Sequence, residues 1–241
     1  MFLKKAILIF FLLIFSSYFC LSSLKPQTSQ VQQLAIDTPI PTNIPSSHLI
    51  KTFFVEQAPQ RNWDQPWQDA CEEASLLTVD YYYRHQKPSK KHIVADILKM
   101  IDYQHQQNWT KDINIEQMAY LSQDYLSYQT EIIDQPTIKQ LKNFLTKNIP
   151  IIVPANGKIL YQENKHFTHG GPYYHNLVIL GYNDSKQQFT VHDVGTKHGA
   201  YFKYSYNLLL KSIHDLPDSG HKQDINSAPA KVLILLPNQK T

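Results

Sequence analysis

The chain is poor in cysteine, with only two among its 241 residues, Cys20 and Cys71. Cys20 lies in an apolar segment at the N terminus, so after that segment Cys71 is the only cysteine. It then has no partner for an intramolecular disulfide, and its thiol is free to react. A free thiol outside the cytoplasm is unusual unless the protein uses it, so the sequence around Cys71 is of particular interest.

The chain also lacks a strong net charge and any internal repeat. The formal charge is +3, and two of the positive charges come from Lys4 and Lys5. The remainder is nearly neutral, which gives no electrostatic reason to expect a nucleic-acid partner. No period recurs along the sequence, which excludes solenoids and propellers. A hydrophobic content of 42% over 241 residues suits one globular domain with its own core, and we expect a monomer.

Residues 1–24 have the composition of a targeting segment. Lys4 and Lys5 precede an almost wholly apolar run over residues 6–21. The run is long for a signal-peptide core and short for a membrane span of about 20 residues, so a cleaved signal peptide and a retained membrane anchor both stay open. Basic residues at the start favour an orientation that places the rest of the chain outside the cytoplasmic membrane.

Cys20 does not have the context of a lipid-attachment site. Lipoprotein processing requires small residues just before the cysteine, and Tyr18 and Phe19 stand there. Residues 25–49 follow as a linker, in which prolines alternate with Gln, Ser and Thr and no apolar period survives. We expect the folded domain to occupy residues 50–237.

Helical and strand patterns follow one another in two blocks within this domain. Helices are predicted over residues 72–85, 115–126, 137–147 and 208–213, and a further helix is predicted to begin after Ser89, which can cap it. Strands are predicted over residues 51–55, 149–153, 176–182, 188–192 and 231–236. Helices that mostly precede strands predict an α+β fold with helices packed on an antiparallel sheet, rather than an alternating parallel sheet.

Cys71 stands at the start of the first predicted helix. Unpaired N–H groups and the positive end of the helix dipole favour the thiolate, which is the form that attacks carbonyl groups. Gln65 lies six residues earlier, in a predicted loop. Its amide and the Cys71 backbone N–H could together hold an oxyanion. A lone buried cysteine with a structural role is the alternative interpretation.

A predicted hairpin supplies the partners that a nucleophilic thiol needs. His175 stands before its first strand, Asp193 stands after its second, and both are equally far from Asp184 in the turn. Residues equidistant from a turn face each other across an antiparallel pair. Asp193 is therefore predicted to orient the His175 ring, which can then take the proton of Cys71.

These segments together resemble the C39-like cysteine peptidases, which are papain-fold proteins related to bacteriocin-processing peptidase domains. The resemblance rests on Gln65 and Cys71 at the helix start, on His-Asn-Leu-Val-Ile-Leu-Gly-Tyr from His175, and on Phe-Thr-Val-His-Asp-Val-Gly around Asp193. It implies a papain-like α+β fold. It also implies Cys71 as nucleophile, His175 as base, Asp193 as orienting acid and Gln65 as oxyanion donor, acting on a peptide or protein substrate without a cofactor.

The sequence departs from the pattern of that family in two places. Glu72 and Glu73 follow the cysteine where Gly-Pro is usual, and Tyr174 precedes the histidine where Gly is usual. Carboxylates beside a thiolate raise its pKa unless they point away. Two alternatives to a peptidase therefore stay open: a peptide-binding module with weak turnover, and a transamidase or deamidase with the same triad.

A group of histidines precedes His175. His166 and His169 could join it as metal ligands, but the spacing is loose and no cysteine accompanies them, so no metal is expected. His169 is also a rival for the role of base, although no strand-borne acid accompanies it.

Overall fold

The computed structural model describes residues 44–238 and is built around one antiparallel sheet of seven strands. The strands are β1 (Ser47–Leu49), β2 (Tyr128–Asp134), β3 (Ile151–Ala155), β4 (His175–Asn183), β5 (Gln188–His192), β6 (Phe202–Ser205) and β7 (Lys231–Pro237). Their order across the sheet is β2-β7-β3-β4-β5-β6, and β1 pairs with the last residues of β4. The predicted targeting segment and all but the end of the predicted linker lie outside the described residues.

Six helices accompany the sheet in this part of the chain. They are α1 (Cys71–Tyr83), α2 (Lys90–Gln106), α3 (Ile115–Asp124), α4 (Ile138–Thr146), α5 (Gly157–Leu160) and α6 (Tyr206–Ser212), with 3₁₀ turns at Trp67–Asp69 and Lys222–Ser227. Side-chain caps fix several starts: Ser89 accepts from the His92 N–H as predicted, and Asn114 and Thr137 each form a capping box.

Helix α1 is buried on nearly all sides. Every residue from Cys71 to Tyr81 is buried. The helix packs on β4 and is flanked by α2 and α3, so it lies between the sheet and the other helices. This arrangement fixes the thiol at its first residue against the start of β4. The α+β class, with helices packed on an antiparallel sheet, is confirmed.

The predicted strand over residues 51–55 is wrong. The backbone of Thr52 is paired with a side chain instead, because its N–H donates to Tyr201 Oη at 3.0 Å and its carbonyl accepts from the same hydroxyl at 2.9 Å. The strand that does form is β1, within the last residues of the predicted linker. Gly181 allows β1 to approach β4, since a Cβ there would lie 2.4 Å from the His48 carbonyl oxygen.

Two strands, β2 and β6, were not predicted from the sequence. Their residues, Tyr-Gln-Thr-Glu-Ile-Ile-Asp and Phe-Lys-Tyr-Ser, carry too many polar side chains for a clear apolar alternation. Both form the outer edges of the sheet, where half-polar strands are common. Within residues 44–238, no helix has the length and apolar character that crossing a membrane requires.

Candidate active site

Cys71 is the first residue of α1 and lies on the wall of a cavity of about 1000 Å³. Its residue surface is only 4% exposed. Ala70 precedes it and provides no side-chain cap, so the N–H groups of the first helical turn are not taken up by a capping side chain. His175 lines the same cavity. The structure therefore places the predicted nucleophile and the predicted base at one site.

The thiol is held by a carboxyl group from its own helix. Cys71 Sγ donates to Glu72 Oε2 at 3.1 Å, and Asn176 Nδ2 lies 4.0 Å from the sulfur. Glu72 is fully buried, and its other oxygen accepts from the Ile113 N–H at 3.1 Å. The carboxyl group therefore has a fixed position behind the thiol and does not point away from it.

This environment raises the pKa of the Cys71 thiol well above its usual value. Burial is the largest cause, followed by the charge of Glu72 and the hydrogen bond to it. The sequence left the direction open, because a helix N-terminus stabilises a thiolate and neighbouring carboxylates destabilise it. Burial and the carboxyl group outweigh the dipole here, and the resting thiol is protonated at neutral pH.

Glu72 belongs to a group of buried carboxyl groups with raised pKa values. Burial raises the pKa of Glu72 well above its usual range, and the charges of Glu73 and Asp112 raise it further. Burial also raises the pKa of Glu73 to about 7, although a hydrogen bond from Gln104 opposes the shift. The raised pKa values mean that Glu72 and Glu73, which adjoin the nucleophile, share bound protons.

A single lysine neutralises the part of this group that borders the cavity. Lys222 Nζ lies 2.5 Å from Asp112 Oδ2 and 3.2 Å from Asp69 Oδ1. Both acids line the cavity wall together with Lys222. The ion pairs fasten the 3₁₀ turn that carries Lys222 to two segments: the loop in front of α1 through Asp69, and the loop in front of α3 through Asp112.

His175 and Asp193 are in direct contact. The ring Nε2 lies 2.8 Å from Asp193 Oδ1, and both residues are buried. The predicted symmetric pairing is not how the contact arises. Strand β4 pairs Asn183 with Gln188, so the turn is centred between Ser185 and Lys186 and not on Asp184, and beyond the register shift Val178 lies opposite His192. Continued by one residue, this register places Leu177 opposite Asp193, so the carboxylate reaches the His175 ring diagonally, two residues along β4.

Two further side chains hold the Asp193 carboxylate, and the sequence analysis identified neither. Tyr204 Oη donates to Oδ2 at 2.5 Å, and Asn164 Nδ2 donates to the same oxygen at 2.9 Å. Burial alone would raise the pKa of Asp193, but the His175 charge and these donors outweigh it and lower the pKa. Asp193 is therefore ionised and fully hydrogen-bonded at neutral pH.

The His175 ring is also clamped by its neighbours. Phe167 packs edge-on against it, with ring centroids 5.3 Å apart. A Cβ at Gly195 would lie only 2.7 Å from His175 Cε1, so this position has no room for a side chain. With Nε2–H assigned to the bond with Asp193, Nδ1 is left as the proton acceptor of the ring.

The two candidate oxyanion donors occupy different environments. Gln65 is exposed, donates to Asp69 Oδ2 at 2.7 Å and lies outside the cavity lining. Gln57 is buried and lies on the cavity wall. Its Nε2 donates to the carbonyls of Trp67 and Gln68 at 3.0 and 3.2 Å, on the segment that leads into Cys71. The structure therefore brings a glutamine to the site, but not the glutamine that sequence spacing indicated.

The remaining histidines of the loop line the cavity without forming a metal-binding group. His166 and His169 are both on the wall. Among residues 44–238, no cluster of three or more His, Cys, Asp or Glu side chains could hold a metal ion. The Asp193 carboxylate contacts His175 and not His169.

Residues 54–213 match the family model described as "Peptidase_C39 like family". No curated protein is similar enough to be matched. Among solved structures, a protein described as a C39-like peptidase from Bacillus anthracis has 14% identity and a TM-score of 0.49, covering 81% of this chain and 100% of its own. Xylellain, a cysteine protease from Xylella fastidiosa, has 12% identity and a TM-score of 0.43, covering 82% of this chain and 88% of its own.

Proposed function

Because the chain belongs to the Peptidase_C39 like family, we propose that it is a cysteine peptidase or amide hydrolase with Cys71 as nucleophile. The observation that carries the proposal is that His175, held 2.8 Å from the buried Asp193, lines the same cavity as a thiol at a helix start. A nucleophile, a base and a group that orients the base are the minimum that thiol-dependent acyl transfer requires.

The reaction starts from a protonated thiol. Nδ1 of His175 accepts the proton of Cys71 as the sulfur attacks the scissile carbonyl carbon, and Asp193 stabilises the resulting imidazolium through Nε2–H. The tetrahedral intermediate collapses to a thioester when the imidazolium protonates the leaving amine. A water molecule, deprotonated by His175, then attacks the thioester and releases a carboxylate and the free thiol.

The oxyanion of the intermediate needs donors on the opposite side of the sulfur from the base. The Cys71 backbone N–H is one, since the first turn of α1 has no side-chain cap. We assign the second to Gln57, whose amide lies on the cavity wall and adjoins the loop before Cys71. For this role, one N–H group of Gln57 has to break its hydrogen bond with a loop carbonyl and donate to the oxyanion instead. Gln65 is the alternative, and its amide would have to leave Asp69.

A peptide-binding module with weak turnover is the second candidate, and the Glu72 contact favours it. A thiol that donates to a buried carboxyl group and has a raised pKa is a poor nucleophile until that bond is broken. The two candidates share the cleft and differ in whether substrate binding frees the thiol for His175.

The proposal also includes a location outside the cytoplasmic membrane and a peptide or protein substrate. The location is motivated by Lys4 and Lys5 in front of the apolar run 6–21, through a signal peptide or a retained anchor. The substrate class is motivated by the family to which the chain belongs.

The test is covalent labelling of the full chain with a peptidyl chloromethyl ketone, followed by intact mass and peptide mapping. Stoichiometric labelling at Cys71, with a rate that falls at least about tenfold in His175→Ala, supports the assignment of nucleophile and base. His105→Ala is the control, because His105 is exposed on α2. Equal labelling rates in His175→Ala and the wild type would show that His175 is not the base.

A further inference from the structure

Four basic side chains gather at one end of the cavity, and we call them the basic cluster: Arg61, His166, Lys197 and His198. We propose that the basic cluster is a subsite for an acidic side chain of the peptide substrate, so that the enzyme prefers peptides with Glu or Asp near the scissile bond. This inference rests on the proposed function and specifies its substrate.

The cluster members come from three loops that meet beside the triad. Arg61 precedes the turn before α1, His166 follows α5, and Lys197 and His198 lie between β5 and β6. The His166 and His198 rings lie 4.3 Å apart. Lost hydration and the charges of the other three members lower the pKa of His198, so all three lie within electrostatic reach of its ring.

Nothing on the described part of the chain neutralises this cluster. No acidic side chain within residues 44–238 forms an ion pair with Arg61 or Lys197. Lys222, which also lines the cavity, is already bound by Asp69 and Asp112. Glu56 lies on the cavity wall but makes no ion pair with the cluster. Like charges in a partly enclosed cleft focus a positive potential, which attracts an anionic group.

The loops that carry the cluster are fixed to the catalytic acid. Asn164 donates to Asp193 and its side-chain oxygen accepts from the His166 N–H at 3.1 Å. The Asp193 N–H donates to the Gly199 carbonyl at 3.0 Å, and Thr196 Oγ1 accepts from the His198 N–H at 3.3 Å. The cluster therefore has a defined position relative to His175, as a specificity site requires.

Carboxylate is the chemistry that this group recognises. Arg61 offers a planar fork of N–H donors and Lys197 a mobile ammonium, and both are exposed to an incoming ligand. A peptide that runs past Cys71 and His175 has its flanking side chains within the same cavity. A single Glu or Asp side chain at one flanking position would meet the cluster.

The experiment uses internally quenched peptides of eight residues. Each peptide carries one Glu at a different position of a neutral sequence, and each is compared with the same peptide in which Gln replaces that Glu. We expect one position at which Glu raises kcat/KM about five- to tenfold over Gln, because two exposed ion pairs are each worth a few-fold. Salt at 0.5 M should remove most of the difference, since exposed charges are screened. The double variant Arg61→Ala/Lys197→Ala should bring the ratio of kcat/KM between the Glu and the Gln peptide to about one.

Two further variants keep the test decisive. Lys139→Ala/Lys211→Ala removes the same charge from exposed sites outside the cavity and should keep the preference. Lys197→Glu should shift the preference from Glu toward Lys at the same position. If the Glu and Gln peptides are cleaved equally at every position, the subsite does not exist, while the peptidase assignment stands.

A binding measurement separates this inference from the proposed function. Fluorescence polarisation with Cys71→Ala reports affinity without turnover. If no peptide is cleaved but the Glu peptide binds through Arg61 and Lys197, the subsite is supported and hydrolysis is not. If the Glu and Gln peptides bind equally to Cys71→Ala, the subsite is overturned.

Discussion

The Cys71 thiol donates a hydrogen bond to the carboxyl group of Glu72, the next residue in the chain, with Sγ and Oε2 3.1 Å apart. Both groups are buried at the start of α1. A neighbour that stabilises the protonated thiol opposes the activation that His175 is proposed to provide. The contact therefore determines how much of the thiol is reactive before a substrate binds.

Replacing Glu72 with Gln should make the thiol more reactive. The amide keeps one oxygen for the Ile113 N–H and turns an N–H donor toward the sulfur, so the thiol loses the acceptor Oε2, and any negative charge of Glu72 is removed. Both the charge and the hydrogen bond raise the thiol pKa. Each unit of lowered pKa multiplies the thiolate fraction about tenfold. We expect iodoacetamide to alkylate Cys71 about tenfold faster in Glu72→Gln at pH 7, measured by intact mass. Glu131→Gln, at an exposed position on β2, should keep the wild-type rate. A slower rate in Glu72→Gln would mean that the carboxyl group assists the thiol.

Glu73 should make the protein less stable as pH rises. Its pKa in the fold is about 7, above the ordinary value of 4.5, so the fold favours the protonated acid. That contribution is complete below about pH 4.5 and is lost as pH rises through 7. The free energy of unfolding is measured with urea at pH 5 and at pH 8. The decrease between the two pH values should be smaller in Glu73→Gln than in the wild type. Equal losses in both proteins would contradict the assignment.

Gln57 and Gln65 are distinguished by paired alanine variants. If Gln57 donates to the oxyanion, Gln57→Ala should lower kcat about 10²–10³-fold. Gln65→Ala should stay within about threefold, because the exposed Gln65 amide binds Asp69 instead of the cavity. The alkylation rate of Cys71 needs no oxyanion donor and should be unchanged in both variants. A parallel fall of kcat and alkylation in Gln57→Ala would indicate that Gln57 only holds the loop before α1.

The hydrogen bond from Tyr204 is expected to stabilise the Asp193 carboxylate on the side away from His175. Tyr204→Phe removes a hydrogen bond to a buried carboxylate, which should lower the unfolding free energy by about 1.5–3 kcal/mol at pH 7. Because the pKa of Asp193 is lowered in the fold, this contribution is present above the ordinary pKa of an aspartate and disappears as the carboxylate is protonated at lower pH. The difference between variant and wild type should therefore shrink on acidification.

A matched control exists at the other end of the sheet. Tyr206 Oη donates to Asp184 Oδ1 at 2.8 Å, away from the cavity. Tyr206→Phe should leave kcat/KM unchanged, whereas Tyr204→Phe should lower it. Equal kinetics in both variants would show that the Tyr204 contact serves stability alone.

The features that were predictable from the sequence are those encoded locally. The helix start after Ser89 follows from a capping side chain, and the α+β class follows from apolar periodicity. The contact of His175 with Asp193 was inferred from positions around a turn, although the turn is centred between Ser185 and Lys186 and not on Asp184, which changes the register through which the contact forms. The sequence of the turn allows more than one centre, and the packing of the two strands selects one of them.

The missed features depend on contacts between distant segments. Spacing along the chain singled out Gln65, but loop folding turns that side chain to solvent and brings Gln57 to the cavity. The direction of the thiol pKa was left open by the sequence, because it depends on the depth of burial and on the orientation of Glu72. Tyr204 reaches Asp193 from an edge strand that has no clear pattern.

The most direct test of the central claim is cleavage of a peptide by the purified protein. Two sets of substrates serve: the quenched peptides with Glu at different positions, and a peptide mixture from a whole proteome. New termini in the mixture are detected by mass spectrometry. New peptide termini are expected with the wild type. The rate of cleavage should fall at least about 10³-fold in Cys71→Ala and in His175→Ala, since triad members act as a unit. Cleavage that persists in Cys71→Ala, or a wild type that binds peptides and cleaves none between pH 5 and 9, would contradict it.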